Sequence, residues 1–208
     1  MTSDTLTPAP YALATLIGSR ICHDLISPIG AVNNGIELLT LSGATPSPEL
    51  SLVAESVANA NARIRFFRLA FGIASDAQMI GAEEVDAILR GVYSDGRITA
   101  AAFPEGSFPR ADVRAVLLAL LCAEQAVPYG GFLRVDTTSP NVWRITAEGD
   151  RLAPDPDLWG LLDGRTPPPA LPPTAVQFLI LPQLLPDIGF TCTTRSGEDI
   201  AEIRLSRE

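Results

Sequence analysis

The chain has 208 residues, a hydrophobic content of 47% and a formal net charge of −9, so it can bury the core of one large domain or two small ones. The negative charge excludes sequence-independent binding to nucleic acid, which requires cations that displace phosphate counterions, and it excludes electrostatic attachment to an anionic membrane. All fifteen basic residues are arginines, which excludes a lysine nucleophile, a Schiff base and a phosphate loop of the Gly-Lys-Ser/Thr type.

Residues 1–78 are predicted to form a helical hairpin. Residues 42–48 contain a glycine and two prolines, which end one long helix and begin the next. In both arms apolar residues recur at steps of three and four, the spacing of a heptad seam. They are Leu25, Ile29, Val32, Ile36 and Leu39 in the first arm and Val53, Val57, Ala60, Ile64, Phe67 and Phe71 in the second.

Other apolar positions of the hairpin widen its apolar surface beyond one seam. They are Leu13, Leu16, Ile17, Ile21 and Leu50. Two arms make only half of a four-helix bundle, so a second copy of the chain would cover this surface in a homodimer. The alternative is that the rest of the same chain covers it. We predict the dimeric four-helix bundle.

Residues 79–208 are predicted to form a second domain of mixed helices and strands. The predicted strands are 98–103, 133–138, 142–147, 190–194 and 200–205, and the predicted helices are 111–126 and 175–185. Hairpins without regular βαβ alternation indicate an α+β fold, with one sheet and one helical layer in an α/β sandwich. Seven prolines between residues 152 and 173 predict a stiff surface loop without regular structure.

The single histidine, His23, lies in the middle of the first predicted helix. At helical spacing it shares a face with Ser19, Ser27, Gly30 and Asn34, whose small side chains leave it open to approach. A neutral imidazole is present in substantial amount near pH 7 and can accept and return a phosphoryl group. A lone histidine is more often an ordinary surface or core residue, so the residue alone leaves both interpretations open.

The segment 23–28, His-Asp-Leu-Ile-Ser-Pro, resembles the His-Asp/Glu-Leu-x-x-Pro phosphoacceptor box of sensor histidine kinases. Residues 20–30 followed by 33–38 are more closely similar to the ChpT-type histidine phosphotransferases, which pair such a hairpin with a degenerate kinase-like ATPase domain. The resemblance implies that His23 is phosphorylated and that Asp24 orients or deprotonates its ring. The predicted supporting or receiver-docking positions are Ser19, Arg20, Ser27, Pro28, Gly30 and Asn34.

The predicted second domain departs from the kinase pattern at its nucleotide boxes. An alignment of residues 116–131 with the asparagine box places Leu118 and Cys122 at the two asparagine positions. A thiol is a poor ligand for Mg²⁺, which prefers oxygen. Residues 148–152 replace the glycine-containing motif that would read adenine, and 160–164 is a plain turn rather than the later glycine box. We therefore predict that this chain binds no ATP, cofactor or metal of its own.

The resemblance implies a phosphotransfer protein of a two-component phosphorelay rather than an autonomous kinase. Its expected partners are a second copy of itself, the receiver domain of a hybrid histidine kinase and a response regulator, with Mg²⁺ held by the receiver. Two alternatives stay open: a non-catalytic dimeric scaffold, and an ATP-dependent histidine kinase with unusual nucleotide boxes. Three widely spaced cysteines and the lack of an apolar run of about 18 residues predict a soluble, cytoplasmic protein.

For three further groups of residues, a structural role is the simpler interpretation. The acidic run at Glu83, Glu84 and Asp86 is predicted to begin a solvated helix. The cysteines Cys22, Cys122 and Cys192 are predicted to be buried. The arginines Arg63, Arg65 and Arg68 either meet an acidic receiver domain or are solvated, and we favour solvation.

Overall fold

A computed structural model describes residues 17, 20–21, 24–25, 28–32, 34–35, 38–39, 48–72, 78–93, 96–139, 141–166 and 170–207. The described residues up to 39 are helical, and we refer to them as the N-terminal helical residues. The helices that follow are α1 (Pro48–Ala70), α2 (Ala82–Tyr93), α3 (Arg110–Glu124), α4 (Pro156–Leu162) and α5 (Gln177–Leu184). The strands are β1 (Met79–Gly81), β2 (Ile98–Ala100), β3 (Ser107–Pro109), β4 (Gly131–Ser139), β5 (Val142–Glu148), β6 (Thr191–Ser196) and β7 (Ile200–Ser206).

Five of the strands form a mixed sheet in the order β2-β4-β5-β7-β6, in which only β2 and β4 run parallel. Successive side chains of a strand point to opposite faces, and in β5 and β7 this places Trp143, Ile145, Ile203 and Leu205 on the buried face. Strands β1 and β3 form a separate antiparallel pair. This mixture of strands and helices confirms the predicted α+β class.

Helix α3 lies at the centre of the core. Residues 115–123 are each at most 3% exposed, because this helix is apolar on all sides and is covered by α1, α5 and the sheet. A helix that is hydrophobic all round is stable only in such a position. The predicted helix 111–126 is therefore confirmed, with ends that differ by one or two residues.

The C-terminal end of α1 is packed into this same core through Phe66, Phe67 and Ala70. Its last carbonyls, which have no partner within the helix, accept hydrogen bonds from two guanidinium groups. Arg110 Nη2 donates to the carbonyl of Arg68 at 3.4 Å, and Arg114 Nε donates to that of Ala70 at 3.3 Å. The core thus extends across the predicted domain boundary at residue 78, and that boundary stays a prediction.

The five predicted strands and the predicted helix 175–185 lie where they were expected, but their lengths differ from the prediction. Strand β2 ends at Ala100 rather than at Phe103, because Phe103 leaves the sheet, packs on Trp143 and bonds through its N–H to the Asp86 carboxylate at 3.0 Å. The predicted helix 175–185 is α5 flanked by the 3₁₀ turns Pro173–Ala175 and Leu185–Ile188.

The prediction that residues 152–173 form a loop without regular structure is wrong in its first half, where α4 lies. Asp155 caps this helix by accepting hydrogen bonds from the N–H groups of Asp157 and Leu158, at 2.9 and 3.3 Å. Pro156 is compatible with the first helical position because no N–H is needed there. Residues 160–164 form the end of this helix, terminated by Gly164 at φ +85°, rather than an independent turn.

Among the residues that the structure describes, no helix is long and apolar enough to cross a membrane.

Candidate functional site

The predicted site residues fall partly within the described part of the chain. Three of them, Ser19, His23 and Ser27, lie outside the described residues. Pro28 is buried and Asn34 is exposed. Gly30 is half-buried, and a Cβ atom added there would meet no heavy atom within 4 Å. Within the described part of the chain, the space beside Gly30 is therefore open.

Arg20 and Asp24, which flank His23 in sequence, form a buried ion pair. Arg20 Nη2 lies 2.7 Å from Asp24 Oδ2, and the two side chains are 9% and 8% exposed. Residues four apart share a helical face, so the pair is compatible with one helix. The other terminal nitrogen, Arg20 Nη1, donates a hydrogen bond to the carbonyl of Thr174 at 2.9 Å. One guanidinium thus connects the N-terminal helical residues with the turn Pro173–Ala175.

The Thr174 carbonyl accepts hydrogen bonds from two further side chains. Gln125 Nε2 donates to it from the end of α3, and Gln177 Nε2 donates to it from the start of α5 at 3.0 Å. Gln177 is fully buried and also donates to the carbonyl of Leu121 at 3.3 Å. Two amides on separate helices therefore fix the carbonyl to which Arg20 binds.

Glu124 and Tyr93 lie beside this ion pair. The Tyr93 hydroxyl donates to Glu124 Oε2 at 2.9 Å. Removal from water raises the pKa of Glu124, while the positive charge of Arg20 and the bond from Tyr93 act in the opposite direction. Burial, reinforced by the charge of Glu124, raises the pKa of Tyr93 well above its usual value, so Tyr93 remains a neutral donor at physiological pH.

Arg63 completes the group, which we call the junction cluster: Arg20, Asp24, Arg63, Tyr93 and Glu124. Arg63 Nη1 lies 4.0 Å from Asp24 Oδ2, and Arg63 Nε donates to Asn59 Oδ1 at 3.1 Å. The cavity between the cluster residues is about 10 Å³, room for at most one water, so the cluster is not a ligand pocket.

The favoured interpretation of Arg63 as a solvated residue is wrong, because its side chain is only 29% exposed and is directed toward Asp24. Arg65 and Arg68 are exposed, as predicted. The difference follows from the helical period: Arg63 lies on the side of α1 that faces α2, whereas the other two lie away from it.

The sequence did not identify Tyr93, Glu124, Gln125, Thr174 or Gln177 as site residues. One signal was present, since Glu124 and Gln125 are polar residues at the end of the otherwise apolar segment 115–127. Buried polar groups require partners. The identity of those partners depends on residues far away in sequence, which only the fold brings together.

Glu124→Gln is expected to change how stability depends on pH. Because its pKa is raised, the folded chain holds the Glu124 proton more tightly than the unfolded chain does. The wild type therefore loses stability as pH rises through that pKa, and glutamine does not. Within the described part of the chain, the groups that face Glu124 are Arg20, Arg63, Asp24 and Tyr93. We therefore compare the free energy of unfolding of the variant with that of the wild type. The variant minus wild-type difference is expected to increase as pH rises from about 4.5 to 7.

Urea unfolding at several pH values measures this difference. The control is Glu105→Gln, because Glu105 is exposed and its replacement is expected to give a difference that changes little with pH. A Glu124→Gln difference that decreases as pH rises would contradict the assignment.

The two positions aligned with the asparagine box face the core. Leu118 and Cys122 are fully buried in α3. Burial raises the pKa of the Cys122 thiol well above its usual value, so it is neutral and is not a metal-binding thiolate. Of the other cysteines, Cys192 is half-buried and burial raises its pKa to about 12, whereas Cys22 lies outside the described residues.

Segment 148–152, aligned with the adenine-reading motif, borders an open cleft of about 580 Å³. The cleft is lined by residues of β2, β4, β5 and β7. Among the residues that the structure describes, the charged ones that line it are Arg97, Glu148, Asp150 and Asp199. The carboxylates outnumber the guanidinium in this described lining, so its local charge is negative.

Comparisons with known proteins give a consistent result. A family model described as the histidine phosphotransferase C-terminal domain matches residues 82–200. Protein phosphotransferase ChpT of Brucella abortus (strain 2308) is 34% identical over 177 residues, which are 79% of this chain and 81% of that protein. A solved 1.7 Å structure of a bacterial phosphotransferase has a TM-score of 0.78 at 28% identity, and the alignment covers 97% of this chain and 99% of the other.

Proposed function

The chain belongs to the histidine phosphotransferase family, and from this we propose that it passes phosphoryl groups between receiver-domain aspartates through His23. The observation that carries the proposal is that the chain has a single histidine and that the residues flanking it, Arg20 and Asp24, form a buried ion pair. A buried pair of charges is costly unless its geometry is good. Its position around the phosphoacceptor box supports a functional use of that helix.

The transfer step requires a nucleophile and correct positioning. A ring nitrogen of neutral His23 forms a bond to phosphorus as the acyl phosphate P–O bond of the receiver breaks, and the electron pair leaves on the receiver's aspartate. The receiver supplies Mg²⁺, and this chain supplies the nucleophile and its orientation. We assign Asp24 to orienting the ring or accepting its proton. The reverse step delivers the phosphoryl group to the aspartate of a response regulator.

An exposed apolar stripe supports the proposed hairpin and homodimer. Leu50, Val57 and Ile64 follow one another at seven-residue steps along α1 and are 47%, 43% and 49% exposed in the single chain. Among the N-terminal helical residues, Ile29 and Leu38 are 51% and 45% exposed. A second copy would cover such a stripe in a four-helix bundle. The alternative cover, the α/β part of the same chain, contacts α1 from Asn59 onward and, among the described residues, leaves this stripe exposed.

The two proposed arms of the hairpin come close together at Gly35. A Cβ atom added at Gly35 would lie 2.1 Å from Val53 Cγ2 and 3.4 Å from the Glu49 carbonyl. Only a residue without a side chain allows this approach of two helices. This contact supports the hairpin arrangement of residues 1–78.

We further propose that the α/β part binds no ATP and serves as a support and docking surface. The core positions of Leu118 and Cys122 and the acidic lining of the open cleft support this assignment. The free thiols of Cys122 and Cys192 fit the predicted reducing cytoplasm.

The test is transfer from a receiver domain that carries a labelled aspartyl phosphate. We expect this chain to take up label in a bond that is labile in acid and stable in alkali, as a phosphohistidine is. Addition of a second, unphosphorylated receiver with Mg²⁺ is expected to remove the label. Wild-type protein that stays unlabelled with every receiver of the same genome would overturn the proposal in favour of a non-catalytic scaffold.

A further inference from the structure

We propose that Arg20 is a positioning residue for phosphoryl transfer, which fixes the N-terminal helical residues around position 23, here called the phosphoacceptor helix, against the α/β part of the chain. This inference rests on the proposed function of His23. Around a helix, position 23 lies about 60° from position 20 and about 100° from position 24. A restraint on both positions therefore limits rotation of the helix about its axis.

The two terminal nitrogens of Arg20 make contacts in different directions. Nη2 meets Asp24 one turn along the chain, at 2.7 Å, and Nη1 meets the Thr174 carbonyl, at 2.9 Å. The planar guanidinium holds both partners in a fixed geometry, whereas a lysine ammonium is a single point charge on a flexible stem. Arg20 thus connects the helix to an element more than 150 residues away in the chain.

The anchor at Thr174 is itself rigid. Its carbonyl also accepts from Gln125 and Gln177, which belong to different elements of the core. Hydrogen bonds to charged donors are stronger than those between neutral groups. Arg20 therefore connects the helix to the core of the α/β part rather than to a surface loop alone.

The burial of Arg20 distinguishes a role in positioning the helix from a role in direct contact with a docked receiver. The Arg20 residue is 7% exposed, and a second copy of the chain or a docked receiver would leave it no more exposed. A receiver bound to the surface would therefore meet other residues. Loss of the Arg20 contacts should change the geometry of transfer within the complex and leave the affinity of the complex unchanged.

The experiment is single-turnover transfer from a labelled phosphoreceiver at increasing receiver concentration. We expect Arg20→Lys to lower the saturating rate about tenfold, since small displacements of reacting groups are costly, and to leave the half-saturating receiver concentration unchanged. The matched control is Arg144→Lys, because Arg144 is 46% exposed and forms an ion pair with Glu202 at 3.3 Å on the sheet. The control is expected to transfer at the wild-type rate.

A second variant keeps the test informative if Arg20→Lys folds poorly. Gln125→Met removes one donor from the Thr174 carbonyl without touching the phosphoacceptor helix, and we expect it to lower the saturating rate about threefold with the same half-saturating concentration. A raised half-saturating concentration at an unchanged saturating rate would overturn the inference, as would unchanged values of both in either variant. Absence of label on the wild type would instead refute the proposed function.

Discussion

His23→Gln is expected to take no phosphoryl label from a phosphorylated receiver, a loss of at least about a thousandfold in the transfer rate. The chain contains one histidine, so no other imidazole can replace it. Glutamine is similar in length and favours helix, which preserves the proposed hairpin, but its amide has no nucleophilic lone pair on nitrogen. The measurement is labelled transfer, with circular dichroism to verify the fold of the variant.

A second variant separates the position of the imidazole from its mere presence. The double change His23→Gln with Asn34→His returns one histidine to the chain at an exposed site that shares the predicted face. We expect no transfer to it, because His23 would act through its place between Arg20 and Asp24. Wild-type labelling of His23→Gln would contradict the account, and efficient labelling of the double variant would show that position is unimportant.

Val57→Asp is expected to dissociate the proposed homodimer, with a rise of at least about a hundredfold in the dimer dissociation constant. Val57 is the middle residue of the exposed stripe on α1 and is 43% exposed in the single chain. In the proposed bundle, it and its counterpart would be buried, so the change would place two unpaired carboxylates in an apolar seam. Sedimentation equilibrium of the full chain measures the constant directly.

The control for this prediction is Ile200→Asp, because Ile200 is 45% exposed and lies at the start of β7 in the sheet. It removes the same kind of exposed apolar residue away from the hairpin. We expect the control to remain dimeric. A monomeric wild type, or equal dissociation constants for wild type and Val57→Asp, would contradict the proposed interface.

The α+β fold could be predicted from the sequence because its core elements carry strong local patterns. The apolar segment 115–123 has no position for solvent, so it predicts a central helix. Alternating apolar residues around residues 139–141 and 196–198 predict hairpins, and both are present, the second with its turn one residue later. Helix α4 was missed because seven prolines suggested a loop, although a proline at the first helical position favours a helix start.

The candidate site could be predicted only in part. The residues around His23 belong to a local sequence motif, whereas the junction cluster is formed by residues that only the fold brings together. The resemblance to a phosphoacceptor box lies within residues 23–28, so His23 and Asp24 could be proposed from the local sequence alone. The junction cluster joins Arg20 and Asp24 to Glu124 of α3 and, through Arg20, to Thr174. Such partners are set by packing, and no local pattern specifies which arginine is buried and which is solvated.

The central claim is that this chain receives phosphoryl groups from a receiver and not from ATP. The most direct measurement incubates the purified chain with γ-labelled ATP and Mg²⁺ and, in parallel, with a labelled phosphoreceiver, and then maps the labelled peptide. We expect label on the peptide that contains His23 in the receiver reaction alone. Label on His23 from ATP, or no label from any receiver, would contradict this claim.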